Sequence, residues 1–208
     1  MDCLLCHQPT LPFFSGQYGE YFRCQNCQGI ALAPDYFPSS KTEKARYETH
    51  NNDVTDRRYQ NFVSPIVEAV LAVHSPEEIG LDFGCGTGPV IHYLLTQQGF
   101  QIDRYDPFFY QNPSIFTKTY DFIICCEVVE HFQNPNQEFA RLYSLLKPQG
   151  KLYCMTQLYR DDIDFPTWGY KNDPTHLFFY HPVTFDWIQT EYGFRQVEIQ
   201  GRLICLEK

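Results

Sequence analysis

The residues Leu81-Asp-Phe-Gly-Cys-Gly-Thr-Gly88 sit where an apolar strand gives way to a helix. Glycine tolerates positive φ and lets the backbone come close to a ligand. Such turns at the carboxyl ends of strands are where open α/β sheets bind small molecules. The spacing Gly84-x-Gly86-x-Gly88 departs from the Gly-x-Gly-x-x-Gly of dinucleotide folds. Asp82, just before the loop, suits a ligand carrying an ammonium better than one carrying a pyrophosphate. Cys85 lies inside the loop and is a further ligand-contacting position. Asp106 follows eighteen residues after Gly88, at the end of the next strand. A carboxylate there can accept hydrogen bonds from both hydroxyls of a ribose. The competing reading is a turn cap before Pro107, and Asp103 is a rival inside the strand.

A second cluster is Glu127, Glu130 and His131, after the apolar run Phe122 to Cys126. If a helical turn starts there, these positions share one face. Two carboxylates and an imidazole can hold a divalent cation, or the imidazole can act as a general base oriented by a carboxylate. A structural role is the third possibility. His176, in Asp173-Pro-Thr-His176, is a candidate fourth member. His181 is a further base candidate, although it precedes Pro182 and can equally cap a helix.

The third cluster is Cys3-x-x-Cys6 and Cys24-x-x-Cys27, separated by seventeen residues. Paired thiolates at this spacing make two tight knuckles suited to tetrahedral zinc, a zinc ribbon. His7 could substitute as a ligand. Cys85, Cys125, Cys126, Cys154 and Cys205 lie in apolar strands or the glycine loop and read as small buried hydrophobes.

These groups need elements to hold them. The chain divides into a cysteine module at 1–38, a connector at 39–75 ending in a helix, and an α/β part at 76–208. Within the module, Gln17 to Arg23 reads as a strand. The connector helix runs Arg57 to Val73, with Phe62, Ile66, Val67, Val70 and Leu71 at helical spacing. Strands follow at Glu78 to Phe83, Gln101 to Tyr105, Tyr120 to Cys126 and Lys151 to Thr156. Helices are expected at Pro89 to Gln97, at Asn136 to Leu146 and from Pro182 onward. The last strands, Phe194 to Ile199 and Leu203 to Leu206, read as an antiparallel pair. The expected class is α/β: a Rossmann-like, mainly parallel sheet with helices on both faces, plus the N-terminal ribbon. The segment Gln157 to His181 is expected to be a mobile, irregular lid. Its Phe165, Trp168, Tyr170, Phe178, Phe179 and Tyr180 would favour a flat or apolar small ligand.

Lys+Arg 16 against Asp+Glu 25 gives a net charge of −9, which disfavours nucleic acid as a partner. The densest basic stretch, Lys41 to Arg58, is interrupted by Glu43, Glu48, Asp53 and Asp56. The start Met-Asp-Cys lacks a basic, then apolar, leader, and no run is long enough to span a bilayer. A cytoplasmic protein with no membrane partner is expected.

Taken together, the motif at 81–88, Tyr105-Asp106-Pro107, Tyr120 to His131 and Leu145-Leu-Lys-Pro-Gln-Gly150 resemble the class I S-adenosylmethionine-dependent methyltransferases. The resemblance covers roughly 45–208. It implies S-adenosylmethionine as cofactor, with Gly84, Gly86 and Gly88 under its methionine part, Asp82 near its amino group and Asp106 on its ribose. It also implies backbone contacts from Cys126 or Glu127. The segment Pro107 to Thr119 is too short for the family's usual helix and third strand, and holds no acidic residue for adenine. Glu127-x-x-Glu130-His131 is similar to motifs of two metal-using groups: the O-methyltransferases of ubiquinone biosynthesis and the small-RNA 2′-O-methyltransferases. In the latter, a downstream histidine like His176 completes the set. The leading expectation is a methyltransferase acting on a small molecule, at oxygen. Catalytic candidates are Glu127, Glu130, His131 and His176, with structural zinc on Cys3, Cys6, Cys24 and Cys27. The alternatives are an RNA methyltransferase whose ribbon holds RNA, and a non-catalytic scaffold.

Overall fold

The computed structural model describes residues 1–49 and 53–208. The ribbon contributes β1 (Thr10–Gly16), β2 (Gly19–Cys24) and β3 (Ile30–Leu32). The connector holds two helices, α1 (Ser40–Glu48) and α2 (Arg57–Val73). Then come β4 (Ile79–Phe83), α3 (Val90–Gln97), β5 (Gln101–Tyr105), β6 (Tyr120–Cys126), α4 (Pro135–Leu145) and β7 (Leu146–Met155). The chain closes with β8 (Phe178–Phe179), α5 (Pro182–Tyr192), β9 (Gln196–Gln200) and β10 (Leu203–Glu207).

The main sheet has the order β5-β4-β6-β7-β10-β9. Strands β5, β4, β6 and β7 run parallel, while β10 is antiparallel to both β7 and β9. Strand β6 is central and buried at Tyr120, Phe122, Ile123, Ile124 and Cys125. Its continuous apolar run is what a strand covered on both faces requires. On one face α2 and α3 pack through Val63, Ile66, Val70, Val90 and Leu95. On the other lie Phe139 and Leu142 of α4 and Phe185 and Ile188 of α5. Between β5 and β6 there is no further strand among the described residues. A bridge between Asp106 and Tyr110 and a 3-10 turn at Pro113–Thr117 fill the gap.

The ribbon sheet is not closed on itself. Its order is β1-β2-β3-β8, so the fourth strand comes from the segment read as a loose lid. That reading is corrected. Phe165, Phe178, Phe179 and Tyr180 are fully or nearly fully buried. Phe13, Phe14 and Tyr21 of the ribbon pack edge-on against Phe165. Aromatic pairs of this geometry add about 0.5–1.5 kcal/mol beyond their burial, which fixes the segment.

Candidate active site

The glycine loop leaves β4 at the carboxyl edge of the parallel strands. Gly84 and Gly86 take φ of 80° and 64°. A Cβ on Gly84 would come within 2.5 Å of Val128, so both conformation and space demand glycine there. The Gly84 and Cys85 amides donate to Tyr105 O at 2.8 and 3.1 Å, tying the loop to the end of β5. Asp106 is buried, and its Oδ2 accepts from Gly86 N at 3.0 Å. Its Oδ1 accepts from Phe108 N and Phe109 N at 2.8 and 3.0 Å. Asp106 therefore latches the loop and caps the following turn while facing the same cavity.

That cavity measures about 960 Å³. It lies within the usual size range of small-molecule sites. Its walls bring together Asp82, Gly84, Cys85, Gly86, Gly88, Asp106, Cys126, Glu127, His131 and His176. Asp82 is buried, and desolvation pushes its carboxyl up to about 7, against smaller opposing effects of a hydrogen bond and of Arg104. A buried carboxylate facing a cavity without a full counter-ion is a place for a ligand cation.

The second cluster does not form the single helical face expected of it. Glu127 has φ of 52°, so the chain reverses there before a 3-10 turn at Val129–His131. The two carboxylates nonetheless stay neighbours, sharing the Tyr170 hydroxyl between them. Glu127 accepts from Arg202 of the β9–β10 hairpin at 2.5 Å and from Tyr170 at 3.2 Å. Glu130 is fully buried, takes the Tyr170 hydroxyl on Oε1, and leaves Oε2 without a partner among the described residues. Desolvation raises both carboxyls to about 7.

Glu130, His131 and His176 do come together, with one ligand atom of each lying within 4.8 Å of the others. Glu127 is not in that group. His131 Nδ1 is 2.7 Å from Thr175 O, and His176 Nδ1 is 2.7 Å from Tyr170 O. A carbonyl can only accept, so both rings carry their proton on Nδ1 and present a bare Nε2. Burial depresses both imidazoles, His176 to about 3 with help from neighbouring His131. His181 does not join them. Its Nδ1 accepts from Val183 N at 3.2 Å, capping α5.

Among the cavity residues that escaped the sequence reading are Glu43 and Tyr47 on α1. Tyr47 donates to Glu43 at 2.9 Å and meets the His131 ring edge-on at 5.3 Å. Arg46 holds α1 to the His176 segment through Asp173 at 2.7 Å. Burial raises the Glu43 carboxyl above its ordinary range.

The four ribbon cysteines form a separate buried group, with Sγ–Sγ contacts of 3.6 Å for Cys3–Cys27 and 3.3 Å for Cys6–Cys24. Zn–S bonds of about 2.3 Å make a tetrahedron with edges of roughly 3.8 Å, close to these spacings. Each knuckle ends in a positive φ, at His7 (57°) and Gln28 (62°), and Asn26 N donates to Cys24 Sγ at 3.4 Å. His7 is exposed and outside the thiol group. No ribbon residue lines the cavity among the described residues, so the ribbon aromatics are packing rather than a ligand wall.

A parallel sheet with a glycine loop, a latching carboxylate after the second strand and an antiparallel terminal hairpin defines a methyltransferase-type α/β fold. The family model described as a methyltransferase domain matches residues 55–199, and the chain belongs to that family. It is 25% identical over 91 residues to a ubiquinone biosynthesis O-methyltransferase from Photobacterium profundum, a match spanning 44% of this chain and 39% of that protein. Human N-acetylserotonin methyltransferase in complex with SAM is similar in structure, with TM-score 0.56 and 16% identity over 82% of this chain and 60% of that one. Magnesium protoporphyrin IX methyltransferase from Synechocystis PCC 6803 with bound SAH gives TM-score 0.53 and 16% identity, over 84% and 97% of the two chains. At these identities the structural likeness is one of fold.

Proposed function

We propose that this chain transfers a methyl group from S-adenosylmethionine to an oxygen of a small molecule. The observation that carries this reading is the single cavity joining two dissimilar ends. One end has the glycine loop, Asp82 and Asp106; the other has His131 and His176. Asp82 receives the donor's ammonium, Gly84 to Gly88 lie along its amino-acid part, Cys126 and Glu127 add backbone contacts, and Asp106 takes the ribose. The donor supplies, when bound, a methyl group already activated on a sulfonium, so the residues here have to hold and align the acceptor. The bare Nε2 atoms of His131 and His176 accept hydrogen bonds from the acceptor hydroxyl and orient it, and His131 Nε2 takes its proton as the methyl–sulfur bond breaks and S-adenosylhomocysteine is left. The human and Synechocystis structures hold SAM and SAH respectively, which supports the donor assignment. RNA is disfavoured, because Arg23, Lys44, Arg46 and Arg58 each already meet a carboxylate. Among the described residues no helix is long and apolar enough to cross a membrane.

A second reading concerns the same cluster. Glu130 Oε2, His131 Nε2 and His176 Nε2 together make a donor set for a divalent cation, and the carbonyls on both Nδ1 atoms are the usual outer partners of ligating histidines. His176, held far below neutrality, is a poor general base, yet both imidazoles are already in the neutral form a metal needs. A cation there would lower the acceptor hydroxyl's pKa. Zinc on Cys3, Cys6, Cys24 and Cys27 is proposed as structural, with 1–38 as ribbon, 39–75 as connector and 76–208 as catalytic part.

Calorimetry with S-adenosylhomocysteine tests the donor site, and Asp106→Ala should weaken binding at least about tenfold through loss of two or more hydrogen bonds. No measurable binding to the intact chain would refute the reading. Titration with Mn2+ or Mg2+ of zinc-loaded protein tests the second: binding abolished by His176→Ala supports it, and no binding refutes it.

A further inference from the structure

The peptide unit around Leu177 joins two regions that the sequence keeps far apart. Its carbonyl accepts from Leu32 N of β3 at 2.9 Å. Its amide donates to Glu130 O at 2.8 Å. One residue earlier stands His176, and two residues earlier the Thr175 carbonyl that fixes the His131 ring. Beyond Leu177, β8 adds to β3 with Ile30 opposite Phe179 and Ala31 opposite Phe178. The contact is close: a Cβ on Gly29, two residues after Cys27, would fall 2.3 Å from the buried Phe178 ring. Thr184 Oγ1 of α5 donates to Cys27 O at 2.8 Å, and Asn136 of α4 donates to Leu5 O at 2.7 Å. By contrast, the glycine loop and Asp106 are held by β5 backbone and by each other, with no hydrogen bond to the ribbon among the described residues.

We propose that the metal-held ribbon is the positioning element of the acceptor end of the site: the Cys24–Cys27 knuckle sets β3, β3 sets Leu177, and Leu177 sets His176 and Glu130. A tetrathiolate centre fixes the knuckle more rigidly than a surface turn of free thiols. Strand addition then transmits that rigidity through main-chain bonds that do not depend on side-chain identity. The donor end takes its hydrogen bonds from β5 and meets the ribbon only through the apolar core they share, so it depends on the ribbon less. The ribbon therefore acts on the acceptor without touching it. This inference rests on the proposed assignment of donor and acceptor ends, but its test does not need an identified acceptor.

Two full-length variants separate the links. Cys24→Ser weakens the metal centre, while Gly29→Ala leaves all four thiols and pushes Phe178 away. Amide exchange, carbethoxylation of His176 by diethyl pyrocarbonate, and S-adenosylhomocysteine binding are measured on each. The expected result is exchange at 175–181 faster by about tenfold or more, the loss of one or two main-chain hydrogen bonds. His176 should react correspondingly faster, while exchange at 79–86 and 120–126 and the affinity for S-adenosylhomocysteine stay within about twofold. Unchanged protection of 175–181 in both variants would overturn the proposal. So would parallel loss of protection at 79–86, which would make the ribbon a general support of the fold. Failure of the intact chain to bind S-adenosylhomocysteine would instead strike the assignment of the donor end, leaving the exchange result to judge the coupling.

Discussion

Asp82 illustrates how one buried side chain can carry a pH dependence. Its carboxyl is raised to about 7 by burial, so in the free protein it is increasingly protonated below that pH. A ligand ammonium needs the ionised form. Affinity for S-adenosylhomocysteine is therefore expected to be full above pH 7 and to fall by up to about tenfold per unit below it. Binding near pH 6 should release a proton, visible as a buffer-dependent calorimetric enthalpy. Asp82→Asn should bind more weakly and show a flat profile; a wild-type affinity flat from pH 8 to 5.5 would remove Asp82 from this role. Glu43 gives the opposite test of the same physics. Its raised carboxyl destabilises the fold above its folded pKa and ceases to do so as pH falls. Glu43→Gln should thus raise the melting temperature of the ligand-free protein at pH 8 more than at pH 5, as read by thermal unfolding. Asp82 and Gly84 to Gly88 could be read together because covalent spacing sets them around one turn, and Asp106 could be read because the next parallel strand ends beside that turn. Glu43 was not, because α1 has no apolar stripe and its place depends on the Arg46–Asp173 contact across 127 positions.

At the scale of elements, the strands that build the main sheet were readable, and α2 was read at Arg57 to Val73 as it stands. Their signals are local: apolar runs, helical spacing and glycine or proline at the ends. Strands β3 and β8 were not readable, being three and two residues long. Their pairing brings Ile30 to Phe179, far along the chain, and does not depend on their own pattern. The expected helical turn at Glu127 failed because the positive φ there redirects the chain, and nothing in the residue type announces that. Helix α2 carries a local contradiction of its own, since Pro65 lies in its interior on an exposed position. An interior proline forfeits a hydrogen bond and crowds the preceding turn at a cost of about 3 kcal/mol. Part of that is offset because proline also restricts the unfolded chain. Pro65→Ala is accordingly expected to stabilise the protein by about 1–3 kcal/mol in urea unfolding. A destabilised variant would mean that the proline serves the packing of α2 on α3.

For the whole molecule, composition and charge excluded much without giving shape. They did not reveal that the two modules share a sheet and a core. Leu5, Cys6, Cys24, Cys27 and Ala31 of the ribbon belong to the same apolar cluster as Ile123 and Leu152 of the main sheet. Ribbon residues Tyr21, Ile30 and Leu32 are buried together with Phe165, Leu177 and Phe179. Each such side chain is worth about 1.5–3 kcal/mol when fully buried, and a typical domain has only about 5–15 kcal/mol of net stability. Removing residues 1–38 would uncover several aromatic side chains at once and leave β8 as an unpaired apolar edge, a recognised aggregation hazard. Such a truncated chain is expected to be insoluble, or to melt well over about 10 °C below the intact protein. Zinc chelation should lower the melting temperature in the same direction but less, because the apolar contacts of the ribbon remain. Soluble expression of the truncated chain with an unchanged melting temperature would show that the catalytic part folds alone, and that the shared core contributes little.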